Sequence, residues 1–440
     1  MKKIFLCLSF FLAAILFAGP TAYGEAEEEY IQPEHAVPVI CVDTAGHRGV
    51  GSLKRGNDYI QVSIRIIDES GEQILFDEYA GVKIRGNSTS SAAKKPFNII
   101  LSKNEDILGL GSSGKWALLA NAYDKTMLRN KLVYDFSADI GLEHSPKSRF
   151  VDLYFDGKYL GCYQLTETIG TGRGSVNIHA AKNEFIFEFQ PFEKYSCPVF
   201  LYTPVYGFCM GLDGIDYISD QQMADLTDFL NEAELALAGG NREEVERYFD
   251  VPSFIDTYIV HEYFKNIDVS CSSTRFYIKG GRIYAGPVWD FDLSCGNYST
   301  KYYKKYTDGD YNIASPERWF ARCLWWEGLF ENKWFEQAFA ERYRELQPWI
   351  VNLYEDNALG QNRIDTLCAA AWDCIEANYK EAQWKINKTY SRLERTPENS
   401  YEGNLAFLRD WLRQRNQWML DNLPHAEYAA GSYSAAMATA

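Results

Sequence analysis

Residues 261–297 read HEYFKNIDVSCSSTRFYIKGGRIYAGPVWDFDLSCGN, and the rest of the chain is read outward from them. A helical, largely apolar segment ends near Lys265 and runs into Asp268. The following "STRFYIKGGRIYAGPVWDFD" predicts a β-hairpin turning at Gly280-Gly281, with Asp290 and Asp292 just past its second strand. A tight hairpin returns the chain to its starting point, so Asp268 before the first strand and Asp290 after the second are expected to be neighbours. Converging carboxylates repel unless a cation sits between them or one takes up a proton. Hard oxygen ligands of this kind suit Mg²⁺, Mn²⁺ or Ca²⁺. An aspartate on a loop is ordinarily a solvated turn residue; the hairpin spacing sets this pair apart.

Upstream, from Val37 to about Ile100, the pattern is β. "VPVICV", "DYIQVSIRII", "YAGVKIRG" and "FNIILS" alternate and are rich in β-branched residues, with a turn at Glu69-Ser70-Gly71. "KWALLA" (115–120) adds an apolar stretch. "DKTMLRNKLVYDFSADIG" (124–141) then reads as a helix capped by Asp124, with Met127, Leu128, Leu132 and Phe136 on one face and Gly141 closing it. "RFVDLYFDGKYLGCYQLTE" is a second hairpin, turning at Asp156-Gly157, and "EFIFEFQ" a further strand. Residues 219–238, 241–249 and 253–265 read as helices, and after about 314 the pattern is almost entirely helical. A β-rich N-terminal half and a helical C-terminal half make an α+β layout.

The chain opens Met1-Lys2-Lys3, then runs apolar from Ile4 through Ala18, with Ala22 and Gly24 placed for cleavage after Gly24. Residues 1–24 are therefore expected to be a secretory signal peptide, 25–36 a disordered lead-in and 424–440 a disordered tail. The apolar run is shorter than a spanning helix needs and Cys7 lies too early for a lipoprotein cysteine, so no stable membrane anchor is expected. The expected location is the bacterial cell surface or beyond. The net charge of −16 argues against nucleic acid and against anionic lipid. A phosphate ligand then requires a locally basic pocket. Nine cysteines remain after the leader, none in a paired CxxC zinc arrangement, and Cys197 and Cys209 are the first guess for a disulfide, against buried thiols.

The order of aspartate, hairpin and aspartate has the logic of a protein kinase, which sets a base in a catalytic loop and a metal-binding Asp in an Asp-Phe-Gly turn; here "DFD" (290–292) stands at that turn. Six segments carry a fuller likeness: "IRGNSTSSAAKKPF", "KWALLANAYDKTMLRNKLVYDFSADIGL", "SRFVDLYFDGKYLGCYQLTE", "KNIDVSCSSTRFYI", "GPVWDFDLSCGN" and "LRDWLRQRNQWML". In these, and in their order, the chain resembles the spore-coat protein H (CotH) kinase family of atypical protein kinases, over roughly residues 37–423. The resemblance implies an atypical protein-kinase-like two-lobed fold, with an N-lobe of about 37–190 and a C-lobe of about 191–423. It also implies transfer of the γ-phosphoryl group of ATP, with Mg²⁺ or Mn²⁺, to Ser/Thr of a surface or coat protein.

Carried over by position, Asp268 of "KNID" matches the catalytic aspartate, Asp290 of "WDFD" a metal ligand, and Asp292 a second ligand. Arg85 and Lys95 are the candidate phosphate-binding cations, since a triphosphate needs fixed positive charge; the alternative for each is a surface strand charge. Glu167 is a candidate to orient such a lysine, and Glu188 to line the nucleotide edge. Trp289 either stacks on adenine or belongs to the core. The chain departs from the family's pattern at Gln190 and over 191–218, and no GxGxxG loop precedes a lysine. A silent scaffold of the cell surface or spore coat and a glycan-active enzyme with a carboxylate pair are the competing readings.

Overall fold

Alternation of apolar and polar residues in the first half is the signature of strands with one face in a core. In the computed structural model, which describes residues 37–53, 58–172, 175–190, 197–303 and 313–424, seven such strands close into a barrel. They are β1 (Val39–Thr44), β2 (Ile60–Ile67), β3 (Gln73–Ile84), β4 (Phe97–Asp106), β5 (Ser112–Leu119), β6 (Ser148–Phe155) and β7 (Lys158–Glu167), in the order β1-β2-β3-β4-β5-β7-β6. Neighbours are antiparallel except β1 and β6, whose parallel pairing closes the ring. Every second residue points inward: Val62, Ile64 and Ile66 from β2, Val82 and Ile84 from β3, Phe97 and Ile99 from β4, Val151 and Leu153 from β6. Each such side chain contributes about 1.5–3 kcal/mol by leaving water, so the barrel is held by its apolar interior. The turn at Asp156-Gly157 has φ of 48° and 75°, the left-handed pair that a two-residue hairpin needs.

Between β5 and β6 lies α1 (Arg129–Asp139), shorter than the helix expected from residue 124. Met127 takes φ 61°, which breaks the helical path, while Asp124 still accepts from the Arg129 amide at 2.8 Å and so satisfies the first turn from outside it. Gly141, at φ 87°, ends the helix as read.

A second, five-stranded sheet has the order β12-β11-β8-β10-β9, all antiparallel: β8 (Ile186–Phe189), β9 (Phe200–Tyr202), β10 (Cys209–Leu212), β11 (Arg275–Lys279) and β12 (Arg282–Ala285). The strand "FIFEF", assigned by sequence to the N-terminal half, thus pairs with the hairpin of the C-terminal half. Helices α2 (Asp220–Gly239), α3 (Arg242–Tyr248) and α4 (Val251–Tyr263) follow β10, and α5 (Thr300–Tyr303), α6 (Trp325–Phe330), α7 (Lys333–Glu345), α8 (Gln347–Asn352), α9 (Arg363–Lys380) and α10 (Tyr401–Asn422) complete the chain. Trp325 and Trp326 are fully buried against Phe254 and Phe276, so these aromatics are core. The architecture is mixed α+β with a β-rich first half and a helical second half; the first half is a closed barrel.

Cys197 and Cys209 do not form the disulfide guessed from their spacing. Cys197 packs over Gly211, where an added Cβ would meet its Sγ at 2.7 Å. Its Sγ also lies 3.9 Å from Gln190 Nε2, and the Gln190 amide donates to the Cys209 carbonyl at 2.9 Å. Among the described residues no helix is long and apolar enough to cross a membrane. The leader, the lead-in and residues 425–440 of the tail lie outside the described residues.

Candidate active site

Helix α4 delivers the chain to the first aspartate. Asp250 caps it, accepting from the Ser253 amide at 3.0 Å, and residues 254–263 are all buried. The helix stops where Lys265 takes φ 48°. Beyond it the Asp268 amide donates to Asn266 Oδ1 at 3.0 Å, and the Asp268 carbonyl accepts from the Cys271 and Ser272 amides at 2.8 and 2.9 Å. This tight loop leaves the Asp268 side chain half-buried at the mouth of the hairpin. Gly280 and Gly281 take φ 57° and 76° at the tip, and β12 leads back to Asp290. The two ends of the hairpin touch: Ser273 Oγ lies 3.4 Å from Asp290 Oδ2. Asp290 itself has φ 66°, a left-handed conformation unusual for a non-glycine residue, which aims its side chain away from the strand path.

Asp292 is 7 % exposed. Burial first, then the charges of Asp290, Asp268, Asp124 and Glu394, hold its carboxyl well above the ordinary aspartate range. The three aspartates of the reading are therefore close enough for their charges to act on one another, though their carboxylate oxygens do not all come within 4.8 Å. Arg85, just past β3, stands beside them, its guanidinium 5.2 Å from the Trp289 ring centre and attracted most strongly by Asp290. Burial pulls the guanidinium below its ordinary value, against that attraction. Its Nε is buried with no hydrogen-bond partner, and no ion pair to Arg85 occurs among the described residues. Trp289 is buried and stacks on Tyr134 at 5.8 Å and 17°.

The remaining candidates stand further back. Glu188 bonds the Ser273 amide at 3.3 Å and pairs at 3.2 Å with Arg275, which also holds Asp213 at 3.1 Å. Glu188 thus braces the turn that leads into β11. Lys95 donates to the Ser90 carbonyl at 2.8 Å and ties its own turn. Glu167 ends β7 opposite Trp116; burial lifts its carboxyl, the Ser113 hydroxyl opposes, and no ion pair forms to it among the described residues. Among the described residues the tightest group of possible metal ligands is elsewhere, at Asp43, His47 and Asp156, within 4.8 Å of one another. There Asp156 already accepts from the Thr44 amide, the Thr44 hydroxyl and the Gly49 amide at 2.6, 2.8 and 2.6 Å, as the anchor of the loop after β1.

The model of the family described as CotH kinase protein matches residues 82–419. The chain belongs to the CotH kinase family. A search of curated proteins finds no match. The matched span opens in β3, three residues before Arg85, and closes in α10, so it holds Arg85, Lys95, Glu167, Glu188, Asp268, Trp289, Asp290 and Asp292 but not Asp43 or His47.

In this chain the acidic centre rests on buried ion pairs that sequence reasoning did not assign. Lys125 pairs with Glu394 at 2.8 Å, both nearly inaccessible, and lies close enough to Asp292 for their charges to interact. Arg129 pairs with Asp124 at 2.5 Å and donates to the Ser294 carbonyl at 3.1 Å. Asn130 Oδ1 accepts from the Phe291 amide at 2.7 Å, and Asn297 Nδ2 donates to the carbonyls of Tyr123 and Asp292 at 3.0 and 2.8 Å. The segments 121–130 and 290–297 are thereby locked together. Below Asp268, Glu262 is fully buried, pairs with Arg415 of α10 and accepts from the Phe320 and Ala321 amides at 2.8 Å each. Arg415 also donates to the carbonyls of Pro316 and Arg318 at 2.7 and 2.8 Å. The only sequence signal for these residues was their polarity inside otherwise apolar stretches.

Proposed function

We propose that this member of the CotH kinase family is an exported, metal-dependent protein kinase that moves the γ-phosphoryl group of ATP to a serine or threonine hydroxyl. The observation that carries the reading is the grouping of Asp268, Asp290 and Asp292 beside a buried arginine that forms no ion pair among the described residues. Clustered carboxylates suit a hard divalent cation, and a buried guanidinium with an orphaned Nε suits an anion; Mg-ATP offers both. Asp290 and Asp292 would hold the metal and Arg85 a phosphate, while bound Mg-ATP supplies a transferable phosphoryl group with its charge partly neutralised. Asp268 orients the acceptor hydroxyl and takes its proton as the new O–P bond forms and the bond to the β-phosphate breaks. On this reading the barrel serves as the nucleotide-binding lobe and the helical half as the acceptor lobe of a kinase-like pair.

The test is phosphoryl transfer from labelled ATP with Mn²⁺ or Mg²⁺ to a mixed Ser/Thr protein acceptor, beside Asp268→Ala and Asp290→Ala. Wild type should label the acceptor, and loss of the positioned base should lower the rate by about 10²–10⁴. Equal, background-level labelling by all three proteins sinks the kinase reading and leaves a non-catalytic scaffold.

A further inference from the structure

Two cysteines far apart in sequence meet where α9 packs on the barrel. Cys162 lies on β7 directly across from Asp152, so its side chain shares that outer face of the barrel. Tyr163, the next residue, points into the barrel core, while Cys162 joins the core formed with the helices. Helix α9 presses closely here: a Cβ on Gly161 would meet Asn378 Oδ1 at 2.4 Å, and Trp384 Nε1 donates to the Leu160 carbonyl at 2.7 Å. Cys374 lies one turn before Asn378 on the same helix face. Its Sγ contacts the carbonyl of Val151, the neighbour of Asp152, at 3.6 Å, and the Cys162 and Cys374 thiols are close enough to act on each other. Both are completely buried. Cys368, on the same helix, instead meets the Tyr401 hydroxyl at 3.6 Å.

We propose that Cys162 and Cys374 are a disulfide site that clamps α9 to the barrel when the chain matures in an oxidising compartment. The oxidant is a disulfide donor, either oxidised glutathione or the cysteine pair of a thiol oxidoreductase. One cysteine thiolate attacks the donor, releasing one donor thiol. The second thiolate then attacks the mixed disulfide, forming the Cys162–Cys374 bond and releasing the other donor thiol. Two protons leave the protein sulfurs, and two electrons pass to the donor. In the docked state burial, with Cys162 and Asp152 beside it, holds the Cys374 thiol well above its ordinary value, so the exchange has to begin before α9 closes over the pair. Complete burial shields both thiols once α9 has docked, so the bond forms as the chain folds. It encloses residues 162–374, a long loop whose closure constrains the unfolded chain.

The test compares the whole chain refolded in a glutathione redox buffer with the same chain kept in reductant. Both are unfolded in denaturant with an alkylating agent, digested and weighed. The oxidised sample should yield the Cys162 and Cys374 peptides joined and lighter by two hydrogens, with no such species in the reduced sample. Its melting temperature should fall on adding reductant, and should not change with reductant in Cys162→Ser or Cys374→Ser. Recovery of both cysteines alkylated from the oxidised wild type, or of either joined to a different cysteine, overturns the proposal, and this readout does not depend on whether the serine variants fold.

Discussion

The barrel and the ground beneath the acidic centre are both fully buried, yet they are built from opposite materials. Inside the barrel, β2, β3, β4 and β6 contribute aliphatic and aromatic side chains at every second position. Around Asp268 and Asp292 the buried groups include charges: Asp124 with Arg129, Lys125 with Glu394 and Glu262 with Arg415. Apolar packing degrades gradually, by the volume removed. A desolvated ion pair fails abruptly, because deleting one partner strands the other charge in a medium that cannot solvate it. The region that orients the carboxylates is therefore the more specific and the more brittle of the two.

The largest effect expected from this contrast follows Arg415→Met. Glu262 would be left buried and unpaired, at a cost of about 3–5 kcal/mol in denaturant unfolding. Adding Glu262→Gln should recover much of that loss; a double variant as unstable as the single one would show that packing, not charge, dominates there. Lys125→Met strands Glu394 in the same way and should cost about 3–5 kcal/mol, with phosphoryl transfer falling further than stability explains because Lys125 borders Asp292. A chemical-denaturation curve beside an activity assay separates the two losses.

In the barrel, Ile64→Val should cost only about 0.5–1.5 kcal/mol and leave activity intact; a cost rivalling that of Arg415→Met would erase the distinction. A different kind of effect is expected on pH dependence. His261, stacked on Phe291 beneath the site, is pushed by burial from 6.5 to about 3. Between those values the unfolded chain holds the extra proton, so stability falls as pH drops from about 6.5 toward 3, by at most about 1.4 kcal/mol per pH unit. His261→Gln should flatten that slope in unfolding curves taken across the window. An unchanged slope would place the acid sensitivity elsewhere.

The hairpin at Gly280-Gly281 and the adjacency of its two ends could be read from the sequence because a two-residue turn leaves the returning strand little choice of register. The alternation of β2 and β3 and the apolar face of α1 were readable for the same reason: each is a local periodicity. Other features were not. Glu188 was assigned to a nucleotide edge, whereas its partner is Arg275, reached through the pairing of β8 with β11. Lys95 was a candidate phosphate cation, with a surface strand charge as the alternative; it ties its own turn, while the neighbouring Lys94 is buried against Cys162. A one-residue step along an irregular segment changes which lysine points where, and no pattern marks the step.

By itself, then, the sequence determined most of the elements, the faces they bury and the adjacency of the hairpin's two ends at the "DFD" turn, because these depend on residues a few positions apart. Tertiary structure alone decided that β1 pairs in parallel with β6 to close the barrel. It alone decided that Lys125 finds Glu394 across 269 residues and that Arg415 finds Glu262 across 153. The physical reason is that a charge carries no periodicity. Its partner is chosen by which distant segments the apolar cores bring together, and only then does desolvation make the pairing obligatory.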